Sequence, residues 1–151
     1  MTDLDAVRRT LTLYGQLLDS GRTAEWGALF AEDAAFTSIP GEHLPGGTRE
    51  GWTMRGRTRI AADIGAVQDK QRAAHSISHL GFPPIIELDG DFAHAWWDFL
   101  VLYGDPPGYR IAHTGRYYAH LVRQGERFVF TQRVSVAAGT PWPAHLPQPR
   151  A

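Results

Sequence analysis

The chain reads as an α+β domain in which a mainly antiparallel sheet curves round helices that come before it. Three observations point there. A helical apolar period is confined to residues before 74, and the pattern turns strand-like from residue 73. Two turn signals, Asp89-Gly90 and Gln124-Gly125-Glu126, then fold the second half into hairpins. Helices followed by a run of strands leave a space between the two layers, and that space is the expected pocket.

The first helix starts at a cap, Thr2, with Asp5 three residues on and Asp3 favourable at the positive end of the dipole. Leu4, Val7, Leu11, Tyr14 and Leu18 recur at helical spacing, and Gly21 stops the run. Thr23 opens a short second helix, "AEWGALF", expected to end near Asp33, and "AAFTSI" reads as a first short strand. Pro40 to Gly56 is rich in Gly and Pro and is expected to be a loop, with a lid as one use. "RTRIAADIGAVQDK" gives a third helix with Ile60, Ile64 and Val67 on one stripe; its charges Arg57, Arg59 and Asp63 read as solvated surface. "PIIELDGDFAHAWWDFLVLY" forms one hairpin, and "YRIAHTGRYYAHLV" with "RFVFTQRVSVA" a second. A tail with four prolines, "GTPWPAHLPQPR", is expected to be extended and packed on this subunit or a neighbour. The expected organisation is one domain over residues 1–137, then a tail over 138–151.

Bulk properties exclude several functions. The 151 residues are 43% hydrophobic and 21% charged, an ordinary globular balance that argues against disorder. A net charge of −1 offers no electrostatic footprint for nucleic acid or an anionic membrane. With no cysteine there is no disulfide, no thiolate nucleophile and no zinc–cysteine site. The start, "MTDLDAVRRT", lacks the apolar core of a signal peptide, so a cytoplasmic location is expected.

Two of the seven histidines, His75 and His79, stand four apart in "AHSISHLGFPP". On a helix they would share a metal ion. Ser76 and Ile77 are poor helix formers and Pro83-Pro84 follow, so the stretch reads as a strand. At ~3.3 Å per residue the two rings are then about 13 Å apart, on one face but too far to share an ion. No metal and no cofactor are expected.

The stretches "LYGQLLDSGRTAEWGALFAEDAAF", "SHLGFPPIIELDGDFAHAWW" and "GRYYAHLVRQGERFVF" resemble the SnoaL-like branch of the nuclear-transport-factor-2-like superfamily, over roughly residues 4 to 137. The resemblance implies a cone-shaped, cystatin-like α+β fold whose open end holds a small molecule. By pattern the nearest members are dehydratase-type: scytalone dehydratase, bile-acid 7α-dehydratase and hexachlorocyclohexane dehydrochlorinase. They use an Asp–His pair without cofactor, the histidine acting as base. Residue by residue, Tyr14 and Asp19 match the tyrosine and aspartate of the bile-acid enzyme. His79, followed by Leu-Gly-Phe-Pro, falls where that enzyme has its base. Tyr103 falls near the second catalytic histidine of scytalone dehydratase and Tyr117 near its pocket asparagine, neither keeping the member's residue.

Each candidate has a plainer reading. Asp19 could be a solvated cap, although a carboxylate suits the negative end of a helix poorly. His79 could be a hydrogen-bonded core histidine and Tyr14 simple packing on the apolar stripe. Together they suit catalysis: a carboxylate on one imidazole nitrogen fixes the tautomer and leaves the other to take a proton. Strand alternation sends Ala93, Ala95, Trp97, Phe99, Val101 and Tyr103 inward, with His113, Gly115, Tyr117 and Ala119 on the next strand. Asp98, Arg116, Tyr118 and His120 then point away. His75 is a further candidate for the pocket wall, while His43, His94 and His145 have no evident partner. Trp26, Trp97, Phe99 and Tyr117 give an aromatic lining suited to a flat apolar ligand. The expectation is a cofactor-independent dehydratase acting by proton abstraction on a hydrophobic ring-containing molecule, as a homo-oligomer (dimer or trimer). An isomerase or cyclase using the same pocket is the alternative, and a non-catalytic binder the rival from another class.

Overall fold

A computed structural model describes residues 1–40 and 51–151. Helix α1 spans Asp3–Asp19 and opens on a reciprocal cap, with the Asp5 backbone N–H donating to the Thr2 hydroxyl and the Asp5 carboxylate reaching back to the Thr2 backbone. Its buried stripe holds Val7, Leu11, Tyr14 and Leu18, and the Thr10 hydroxyl donates to the Phe128 carbonyl at 2.6 Å. Helix α2, Thr23–Gly27, is shorter than the sequence pattern suggests, and strand β1, Phe30–Ile39, starts correspondingly earlier. Phe30 pairs in parallel with Phe130, so a partner a hundred residues away overrides the local helical pattern. Strand β2, Trp52–Arg55, pairs antiparallel with β1 inside the stretch read as loop. The expected lid and His43 lie outside the described residues. Helix α3 runs Arg57–Ala74, four residues past the pattern's end at Lys70, and Arg59 and Asp63 pair on its exposed face.

Strands β3 (Ser76–Gly81), β4 (Ile85–Asp89), β5 (Phe92–Asp105), β6 (Gly108–Gln124) and β7 (Arg127–Ala137) complete the sheet, in the order β2-β1-β7-β6-β5-β3 with β4 also on β5. β3 and β4 share one edge of β5, interrupted by Phe82-Pro83-Pro84, where two residues without N–H cannot continue the ladder. Alternation holds along β5: Ala93, Ala95, Trp97, Phe99, Val101 and Tyr103 all join the core between sheet and helices. Trp96 and Tyr118 join a second cluster on the outer face, with Val134, Val136 and Leu146. The tail lies on this chain's own sheet, where the Trp96 indole N–H donates to the Pro147 carbonyl at 3.0 Å and Arg150 pairs with Glu87. No helix among the described residues is long and apolar enough to cross a membrane.

Candidate active site

The site is assembled where α1 ends against β3. The two touch at Gly15, where an added Cβ would lie 2.9 Å from the His79 carbonyl oxygen; only glycine permits that approach. Asp19, the last residue of α1, then meets His79 twice. One carboxylate oxygen accepts the His79 backbone N–H at 2.8 Å, and the other lies 2.5 Å from Nδ1. The carboxylate is acceptor-only when ionised, so Nδ1 carries the hydrogen and Nε2 is left with the lone pair. The unfavourable end of the α1 dipole is offset by Arg72 of α3, which donates to the Leu18 carbonyl at 2.6 Å. His79 keeps 10% of its side chain exposed and Asp19 23%, so the pair is shielded from bulk water without being sealed.

His79 borders a cavity of about 380 Å³ between α1, α3 and the sheet. Tyr14, Phe99, His113 and Tyr117 line it, with Ile64 and Val67 from α3, and no carboxylate among the described residues forms part of its wall. Tyr117 stacks on Phe99 at 3.9 Å between ring centroids. Burial holds the Tyr14 hydroxyl well above the ordinary tyrosine range, against the opposing pull of a nearby cation, so it stays a proton donor. Burial pushes Tyr117 the same way.

That cation is Arg133, which sequence reasoning missed. It is 2% exposed, yet no carboxylate pairs with it among the described residues. Instead it sits among aromatic faces, 3.7 Å from the Tyr117 centroid, 4.7 Å from Tyr14 and 4.8 Å from Phe36, and its Nε–H has no acceptor. Cation–π contacts return only part of the desolvation cost of a guanidinium. A buried cation left in this state on a cavity wall is a receptor for negative charge.

Other expected lining residues go elsewhere. Trp26 is fully buried behind Tyr14 against Phe30, 4.9 Å between centroids, and is core, not cavity wall. Trp97 packs on Tyr117 but faces a second cavity on the far side of His79. Tyr103 is clasped between His75, stacked at 4.3 Å, and Arg110, so neither Tyr103 nor His75 reaches the cavity. His75 has its own carboxylate, Asp105, at 2.7 Å from Nδ1. His94 finds a partner in the Tyr118 hydroxyl on the outer face, and His145 is exposed on the tail. No group of three His, Asp or Glu side chains among the described residues is placed to hold a metal ion.

Comparison with known proteins agrees with this architecture. A protein of unknown function from Mycobacterium tuberculosis superposes with TM-score 0.72 at 21% identity, over 89% of this chain and 70% of that one. An NTF2-like protein with a cystatin-like fold from Novosphingobium aromaticivorans gives 0.74 at 21%, over 91% and 82%. A candidate scytalone dehydratase from the same organism gives 0.70 at 18%, over 91% and 85%. At these identities the likeness is one of fold. No curated protein matches the chain. The model of the SnoaL-like domain family matches residues 1–134, nearly the whole chain. The chain therefore belongs to the SnoaL-like domain family.

Proposed function

We propose that this protein is a lyase that removes water from a hydrophobic, ring-containing β-hydroxy carbonyl compound, with His79 as the base. His79 Nε2 takes the proton from the carbon next to the carbonyl, and the electron pair moves onto the carbonyl oxygen as an enolate. Arg133 and the Tyr14 hydroxyl face that developing charge, in a setting where fixed donors count for more than in water. The enolate then collapses, a carbon–carbon double bond forms, and the β-hydroxyl leaves as water with the proton carried by the imidazolium. Asp19 holds the tautomer and stabilises the imidazolium while it exists. No step calls on a cofactor.

The observation that carries this reading is the presence of two groups on the wall of one cavity: an oriented imidazole and a buried guanidinium with no carboxylate partner among the described residues. A passive binder of an anion can use the guanidinium, but it has no use for an imidazole whose tautomer a carboxylate fixes. The same pair would serve an isomerase or cyclase, which differ only in where the enolate's electrons go next. Among the described residues the wall has no carboxylates of the kind that would hold a water for epoxide opening. The test is incubation with flat β-hydroxy ketones in D2O, followed by NMR. Loss of water, with the conjugated enone formed and the abstracted hydrogen released to solvent, is the expected result. Deuterium exchange or double-bond migration without water loss moves the assignment to isomerase. Binding with neither leaves a ligand carrier.

A further inference from the structure

Behind the Asp19–His79 pair lies a second cavity of about 550 Å³, between α1 and the β3–Pro84 segment. Asp19 lines this cavity and not the one that Arg133 lines, while Tyr14, His79 and Tyr117 line both. We propose that it is a second binding site, sharing that wall, for a flat, apolar organic anion, one that would press on the pair from behind.

The chemistry of the wall sets the ligand class. Leu11, Trp97 and Pro83 supply an apolar floor, and Leu80 and Phe82 stand at the rim 47% and 50% exposed. Half-exposed large apolar side chains around a concavity are a costly surface unless something covers them. The volume lies within the range of small-molecule sites and takes two or three fused rings. Charge decides the rest. The Asp19 oxygens are both engaged by His79, so they offer little to a cation. Arg8 stands eleven residues earlier on the same helix, about 16 Å away at 1.5 Å per residue. Its one ion pair among the described residues is a 3.9 Å contact with Asp5, both side chains more than half exposed. A contact of that kind is worth little and leaves the guanidinium free to take an anion. A ligand with rings on Trp97 and Phe82 and an anionic group toward Arg8 fits this layout. Its inner edge would touch the carboxylate that fixes the His79 ring.

The experiment uses 8-anilinonaphthalene-1-sulfonate, two aromatic units and one sulfonate, and its uncharged relative N-phenyl-1-naphthylamine. Calorimetry on the whole chain should show one saturable sulfonate site, with the uncharged probe about tenfold weaker or worse. Arg8→Glu should weaken the sulfonate at least about tenfold and erase the difference between probes. Gln16→Trp, at an exposed helix position on the cavity wall, should abolish binding. Val67→Trp, which fills the Arg133 cavity instead, should leave binding unchanged. In the parent protein the His79 imidazole nitrogen resonances should shift on saturation, and in Gln16→Trp they should not. Circular dichroism melts check that each variant folds. Absence of a saturable site, indifference to Arg8→Glu and Gln16→Trp, or loss in Val67→Trp would each overturn the proposal.

Discussion

Two Asp–His pairs flank one strand, and they are not alike. Asp19 gives both oxygens to His79, one to the ring and one to the backbone N–H of the same residue, so ring and strand are fixed together. Asp105 gives one oxygen to His75 and the other leans toward Arg110 at 3.5 Å. The first pair is mostly buried at a cavity wall; in the second, His75 and Asp105 are 28% and 34% exposed and the ring is stacked flat on Tyr103. By distance alone they are nearly the same motif. What separates them is what surrounds the imidazole: the wall of a cavity that Arg133 also lines, or a tyrosine ring and solvent. A carboxylate–imidazole contact is therefore a means of holding a ring, and its use is decided by the surroundings.

That contrast can be broken by substitution. His79→Ala should cost most, on the order of 10²–10⁴-fold in turnover, because the base itself is gone. Arg133→Met should follow, at roughly 10²–10³-fold for a lost oxyanion partner. It should also raise the thermal midpoint, since a buried charge with no carboxylate partner among the described residues is replaced by an apolar chain of similar length. Activity and melting measured on the same sample separate this outcome from simple unfolding. Asp19→Asn should cost less than His79→Ala. The double variant Asp19→Asn/His79→Ala should be little worse than the poorer single one, because the two act as a unit. Tyr14→Phe should lose roughly fivefold, a single neutral donor being worth about 1 kcal/mol, while the ring goes on packing. Smallest is His75→Ala, with turnover within about threefold and stability lowered by roughly 0.2–1 kcal/mol, as for an exposed pair. Equal losses in His75→Ala and His79→Ala would erase the distinction drawn here.

Much of the frame was legible because its signals are local. The Thr2–Asp5 cap, the Asp89-Gly90 turn and the alternation along β5 each depend on residues within a few positions of one another. Where partners are distant the reading went astray. β1 begins early because β7 draws it in, and β2 forms in a Gly- and Pro-rich stretch because β1 offers it an edge. Arg133 shows the limit most clearly. Phe128 and Phe130 are both buried in the inner core, so strict alternation sends Gln132 inward and Arg133 out. The pairing with β6 slips between Leu121 and His120, leaving Thr131 outside the strand register. Beyond that irregularity the faces exchange: Arg133 and Ser135 turn to the cavity, Val134 and Val136 to the outer cluster. An arginine followed by valine carries no mark of this. Trp26 fails for a simpler reason, since an aromatic on an inward face can be core as readily as wall.

The tail gives the outer face of the sheet a dependence on sequence that contributes nothing to the ladder. Trp96, Tyr118, Val134 and Val136 form an apolar tract on that face, and Leu146 and Trp142 are what the chain lays over it. Removing residues 138–151 would leave the strands intact and uncover a sticky plane. Solubility, resistance to aggregation and any pairing of sheets between copies thus hang on fourteen residues outside the seven-stranded sheet. A purification tag or a protease cut at that end would act on the protein's colloidal behaviour long before it touched the site around His79.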